Sequence, residues 1–186
     1  MVPLVKFLHK LQGWDEKEFL SQYTFPLMVT SRKHIKRIPD ENQIHLRHRG
    51  RQFSTMISSA QSNRIELEWL SIPWVCIISK REGGEMQMVN LGRTSNNDIV
   101  IPLPVISKFH CCFFVYGAEE VYLVDGGSTN GTFLNDTLME ENQKLPLHSG
   151  DHIRFGPQME FEFFFPKNFW EVIPEYHQLL SRLPSS

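Results

Sequence analysis

From residue 72 onward the chain breaks into short β-rich runs separated by turn residues: 74–78, 86–91, 99–101, 111–116, 121–124, 132–134, 152–155 and 161–165. Between them lie the Gly pair of 82–85, the stretch 117–119, Gly126-Gly127 and 149–151. Strands this short, at this spacing, bury a core by stacking two sheets. An all-β sandwich over residues 72–166 is therefore expected. After Pro166, Trp170, Ile173, His177 and Leu180 recur at helical spacing, with Pro174 among them. A short C-terminal helix starting near that proline is expected within a tail at 167–186.

Residues 1–71 have a different texture and read as an N-terminal extension of uncertain fold. Asp15 stands where an N-cap would start a helix running through Glu16, Phe19 and Leu20, with Glu18 at capping-box spacing. Residues 31–51 are basic: Arg32, Lys33, Lys36, Arg37, Arg47, Arg49 and Arg51, opposed by Asp40 and Glu41. Residues 54–63 are polar and Ser-rich, as in a linker. Residues 1–84 hold 13 Lys and Arg against 8 Asp and Glu, whereas 85–186 hold 6 against 13, which points to two parts with different tasks. The basic segment admits three readings: a solvated arm, an extension packed on the sandwich, or a contact for nucleic acid or another acidic surface. No apolar run reaches membrane-spanning length, so no membrane partner is expected, and Lys6 and Lys10 break the apolar start, so no signal peptide is read. Three cysteines, Cys76, Cys111 and Cys112, are a poor disulfide framework and suit a reducing compartment, cytoplasmic or nuclear.

Several polar residues fall at the ends of the expected strands. Gly92-Arg93 follows one, Ser107, Lys108 and His110 precede another, and Ser128-Thr129-Asn130-Gly131-Thr132 follows a third. Binding residues of a sandwich gather in loops at one end. An Arg, a Lys, hydroxyls and an Asn converging there suit an anion with several acceptor oxygens, phosphate above all. The alternative for each motif is a plain turn with a solvated or capping side chain. His110-Cys111-Cys112 lacks chelate spacing, and neighbours on a strand point to opposite faces; His45 and His48 have no cysteine or carboxylate partners at ligand spacing. No metal or cofactor is expected. Nor does the sequence hold a Ser-His-Asp order, a nucleotide loop or paired carboxylates, so no enzyme is expected.

Four stretches together resemble the forkhead-associated (FHA) domain family. They are Leu91-Gly92-Arg93 through Asn97-Asp98-Ile99, Ile106-Ser107-Lys108-Phe109-His110, Val124 through Asn135, and Leu147 through Gly150-Asp151 to Phe155-Gly156. The resemblance covers about residues 72–166 and implies an eleven-stranded FHA β-sandwich whose apical loops hold a phosphothreonine peptide. It implies that Arg93, Ser107 and Lys108 contact the phosphate. Thr129 would hold the peptide beside the phosphothreonine, and Asn130 would bond its main chain. Gly92, His110 and Gly131 would support the loops. The implied partners are a phosphothreonine-containing protein and an upstream Ser/Thr kinase. The loop 101–105, with Pro102 and Pro104, is apolar where many members are polar, implying an apolar preference three residues after the phosphothreonine. Asp136 stands where the family usually has Gly, leaving the turn type open. The alternative functions are a scaffold whose pocket takes no phosphate, or an FHA domain regulating a nucleic-acid-contacting N-terminus. Thr24, Thr30 and Thr55 are candidate phosphorylation sites for docking into such a pocket in cis or in trans.

Overall fold

The computed structural model describes residues 1–38, 69–80, 87–117 and 119–183. The readings for Arg47, Arg49, Arg51, His45, His48, Thr55 and the Ser-rich stretch lie outside the described residues.

Among the described residues the strands are β1 (Val2–Pro3), β2 (Leu27–Thr30), β3 (Trp74–Ile77), β4 (Gln87–Gly92), β5 (Ile99–Val100) and β6 (Cys111–Val115). They continue with β7 (Val121–Asp125), β8 (Thr132–Leu134), β9 (Thr137–Leu138), β10 (Lys144–Pro146), β11 (His152–Phe155) and β12 (Met159–Phe164). One sheet has the order β1-β3-β2-β12-β11-β8-β9 and the other β10-β7-β6-β4-β5. The helices are α1 (Leu4–Lys10), α2 (Glu16–Gln22), α3 (Arg32–Ile35) and α4 (Pro166–Leu180). The two-sheet sandwich matches the expected class. It also includes β1 and β2, which come from the N-terminal stretch, and the short strands β9 and β10.

Alternation divides the seven-stranded sheet between two cores. Met28, Cys76, Phe161 and Phe163 point inward, against Val89, Leu91, Phe113 and Leu123 of the other sheet. Leu27, Val29, Val75 and Phe164 point outward, against Leu4, Phe7, Phe19, Phe169, Ile173 and Tyr176 of the helices. β2 thus lies between β3 and β12 with both faces covered, and all four of its residues are buried. A strand covered on both sides carries an unbroken apolar run instead of an alternating one.

The Asp15 cap forms as expected: its carboxylate accepts the Glu18 N–H at 2.8 Å and starts α2. The C-terminal helix differs from expectation. It starts at Pro166, which takes the first helical position, and Pro174 lies within it on the exposed side. A proline inside a helix costs about 3 kcal/mol. Packing of Phe169, Ile173 and Tyr176 on the sheet offsets that cost, because tertiary burial rather than propensity holds most protein helices.

Part of the basic segment is drawn into this helical layer. Arg32 pairs with the buried Glu162 at 2.8 Å and with Glu175, Arg37 pairs with Glu160 at 3.0 Å, and Lys33 lies 3.8 Å from Asp136. Burial weighs against the Arg32 charge, but its bonds to Glu162 and Glu175 outweigh that and raise its pKa. Glu162 also accepts from the Arg32 N–H at 2.8 Å and from the Tyr176 hydroxyl at 3.4 Å. The opposite charges of the two halves are thus partly neutralised against each other. No helix among the described residues is long and apolar enough to cross a membrane.

Phe169 is fully buried and meets the rings of Phe7, Phe19, Phe164 and Tyr176. Phe169→Ala is expected to lower stability by about 3–5 kcal/mol in chemical denaturation. A single transition should persist, because β2 and β12 belong to both cores. A separate early transition for the helices would contradict this shared core.

Candidate functional site

Strand register places the expected site residues at one end of the five-stranded sheet. Leu91, Cys111 and Asp125 lie side by side across β4, β6 and β7. The next residues therefore leave the sheet together: Gly92-Arg93 after β4, Ser107–His110 before β6, and Gly126–Gly131 after β7. Backbone bonds tie these segments. The Arg93 N–H donates to the Ser107 carbonyl, the His110 N–H to the Leu91 carbonyl, and the Gly126 N–H to the His110 carbonyl, each at 2.9 Å.

The glycine at 92 is required by a close approach. A Cβ there would stand 2.2 Å from the Lys108 carbonyl oxygen and 2.7 Å from Asn97 Nδ2. The same Lys108 carbonyl accepts from Asn97 Nδ2 at 2.7 Å and from Thr94 Oγ1 at 2.9 Å, which latches the β4–β5 loop to the β5–β6 loop. Asn97 is buried in doing so. Its role is missing from the sequence reading, although a buried amide is a common latch where two loops meet.

Asp125 organises the β7–β8 loop. Its carboxylate accepts the N–H groups of Gly127 and Ser128 at 3.0 Å, the Ser128 hydroxyl at 2.6 Å and the Thr132 hydroxyl at 2.5 Å. Burial weighs against its charge, but these hydrogen bonds prevail and hold its pKa below the usual carboxylate range. Asp125 carried no assigned role from the sequence. The signal was present: an Asp followed by Gly-Gly-Ser is an Asx-type turn in which the side chain bonds the backbone two residues on.

These ties bring Ser107 and Thr129 into contact. Ser107 Oγ accepts the Thr129 N–H at 3.0 Å and donates to Thr129 Oγ1 at 3.3 Å. Arg93 is exposed. Its Nε donates to the Ile106 carbonyl at 3.1 Å, and among the described residues no hydrogen bond or ion pair engages its terminal amino groups. Lys108 is exposed beside it, with no ion pair among the described residues. Asn130 donates from Nδ2 to the Val105 carbonyl at 2.8 Å, joining the β7–β8 loop to the apolar loop. Gly131 adopts φ +79°, and its carbonyl accepts the Gly156 N–H at 2.9 Å.

His110 lies fully buried beneath the loops. Its Nδ1 accepts the Ser107 N–H at 3.1 Å, which assigns the neutral ring's proton to Nε2. Nε2 makes no hydrogen bond of good geometry among the described residues. Burial lowers the His110 pKa, opposed by the Asp125 carboxylate and by the dipole of the Gly131 carbonyl.

Among the described residues no three His, Cys, Asp or Glu side chains are placed to hold a metal ion. All three thiols are free and buried. Burial pushes Cys76 up to about 12 and raises Cys111 and Cys112 as well. Of the candidate threonines, Thr30 is buried with its hydroxyl accepting the Trp74 N–H at 2.7 Å, so it is not presented to a kinase, whereas Thr24 is exposed. The turn left open at Asp136 is a two-residue hairpin loop in which Asn135 and Asp136 have φ of 51° and 65°, the type I′ pattern.

The His110 shift carries a sign. A histidine with its folded pKa below the unfolded value binds fewer protons in the folded state. Its stabilisation is complete above about 6.5 and is lost as pH falls from there through the folded pKa. Denaturation midpoints followed from pH 7.5 to 5 should therefore fall, and His110→Gln should remove that part of the slope. An unchanged slope in the variant would show that His110 titrates normally.

The FHA domain family model matches residues 89–156. The serine/threonine-protein kinase cds1 of Schizosaccharomyces pombe is 34% identical over 83 residues, which is 39% of this chain and 18% of that protein. The chain thus spans less than a fifth of the length of that relative. Among solved structures, the MEK1 FHA domain in complex with the HOP1 pThr318 peptide is 26% identical, covering 50% of this chain and 88% of that one, with a TM-score of 0.40. EmbR of Mycobacterium tuberculosis, in complex with a low affinity phosphopeptide, is 27% identical over 42% of this chain and 20% of that one, with a TM-score of 0.38. Residues 89–156, spanning the loops that carry Arg93, Ser107 and Thr129, are an FHA domain.

Proposed function

We propose that this domain binds phosphothreonine peptides and so recruits a partner protein marked by a Ser/Thr kinase. The observation that carries the reading is the cluster of Arg93, Ser107 and Thr129. It joins an Arg whose terminal amino groups are unengaged among the described residues to two hydroxyls in mutual contact. A threonine phosphate carries about −1.5 to −2 charge and three acceptor oxygens. The Arg93 guanidinium supplies a planar fork of donors to two of them. Ser107, whose hydroxyl proton now goes to Thr129, turns it toward the third. Lys108 adds a compact positive charge. Thr129 stands next to the phosphothreonine, and Asn130 holds the peptide main chain, exchanging its bond to Val105. Gly92, His110 and Gly131 keep the loops at the spacing the phosphate needs.

On the side of Val105 the loop is apolar, with Pro102 and Pro104 exposed and fixed in φ. An apolar residue three places after the phosphothreonine is the preferred occupant of that side. Of the basic segment, Arg32, Lys33 and Arg37 face carboxylates of the chain itself. That favours recruitment through the FHA loops over a role for these three residues in holding nucleic acid.

A phosphothreonine peptide library tests the reading, run beside unphosphorylated peptides and an Arg93→Ala variant. Binding at micromolar Kd or better, with plain threonine peptides unbound, is expected. Loss of the charge-assisted contact in Arg93→Ala costs about 2–3 kcal/mol, or on the order of 30- to 150-fold in affinity. A folded protein with no preference for the phosphorylated peptides would overturn the assignment and favour a scaffold role.

A further inference from the structure

The phosphate cluster has two flanks. In the β5–β6 loop Ser107 stands between Val105 and Phe109, and in the β7–β8 loop Thr129 stands between Gly127 and Asn130. One flank is the apolar loop at Val105, tied to Asn130. The other consists of Phe109 and the glycine pair. Phe109 is a large hydrophobic side chain left 42% exposed. Its ring lies against Gly126, where a Cβ would come within 2.2 Å of the ring carbon Cε1. On the next residue, Gly127, a Cβ would come within 2.9 Å of a carboxylate oxygen of Glu141. The bare backbone of Gly126-Gly127 therefore runs between an aromatic ring and a carboxylate. Glu141 is exposed, and among the described residues no cation pairs with it. The Asn142 side chain donates to it at 3.4 Å.

An exposed ring and an exposed carboxylate that flank the same two glycines suit one class of side chain. A guanidinium is flat, weakly hydrated and always charged, so it stacks on an aromatic face while bonding a carboxylate at its edge. An apolar side chain would use the ring and leave the carboxylate unanswered. An acidic one would be repelled. Extended peptide advances about 3.3 Å per residue, and Gly127 is two residues from Thr129, so the occupant lies within about three residues of the phosphothreonine.

We propose that Phe109 and Glu141 form a subsite for an arginine of the phosphopeptide, on the side of the phosphothreonine opposite the Val105 loop. The subsite rests on the phosphothreonine reading above and narrows it. The ligands are threonines phosphorylated within an arginine-containing sequence, so the kinase that writes them is one that accepts or requires a basic residue near its target. Selection comes from both flanks at once, apolar on one side of the phosphothreonine and cationic on the other.

The test is a scan of phosphothreonine peptides with Arg, Lys, Ala or Glu placed at each of the three positions on either side. Affinities are measured for the wild type, Phe109→Ala and Glu141→Gln. Arg is expected to bind about fivefold more tightly than Ala at a position on one side only, with Glu weakest there. The ratio of the Arg to the Ala affinity should fall toward one in each variant, a readout that general loosening of the loops would not move selectively. An arginine advantage at no position, or one undiminished in either variant, overturns the subsite. In those cases a wild type that still prefers phosphothreonine to threonine leaves the broader reading standing. A wild type that does not prefer it brings down both.

Discussion

Asp125 closes β7 at the register line where Leu91, Cys111 and Asp125 stand side by side, and its carboxylate gathers four donors from the loop that follows. Without those bonds the Gly127–Gly131 segment has no reason to curl back toward Ser107, and the contact between Ser107 and Thr129 is lost. Hydrogen bonds to a charged acceptor are among the strongest a protein makes, and these are held in partly buried surroundings where water competes poorly. His110 works on the same segments from below, accepting the Ser107 N–H and receiving the Gly126 N–H at its carbonyl. The three loops are thus braced from two sides before any ligand arrives, and preorganisation of this kind limits the ordering cost of binding.

The sandwich that carries this end is braced from the side the sequence made hardest to read. β2 lies in the interior of the seven-stranded sheet, and the helices before and after it close over the outer face of that sheet. The N-terminal stretch therefore shares its hydrogen bonds with β3 and β12 and its core with strands of residues 89–156. Arg32, Arg37 and Lys33 reach carboxylates on β12, on α4 and in the β8–β9 hairpin. The charge asymmetry between the two halves is in part a record of that packing.

What was legible follows from how tightly geometry constrains a residue. Gly92 has no room for a side chain, and its motif can be read directly, whereas the motifs that hold Asn97 and Asp125 do not by themselves disclose which backbone groups those side chains satisfy. Seven of the eight expected β-runs match a strand to within one residue at each end, and the eighth, 161–165, overlaps β12, because each is a short β-rich run bounded by turn residues. β2 escaped because Leu-Met-Val-Thr is covered on both faces and shows no alternation, and because it sits between a helix and a basic stretch. β9 and β10 are short and mostly exposed, so they carry no apolar pattern to read. A proline at 174 predicts a late start for the C-terminal helix, whereas Pro166 fills the first position and tertiary contacts carry the helix past the second proline.

The most direct test of the phosphate cluster is a nuclear magnetic resonance titration of the full chain with a phosphothreonine peptide and its unphosphorylated twin. The amides of Arg93, Ser107, Thr129 and Asn130, together with the Arg93 guanidinium, should shift with the phosphorylated peptide and stay in place with the other. Shifts centred elsewhere, or the same shifts with both peptides, would contradict the assignment of phosphate to this end of the sandwich.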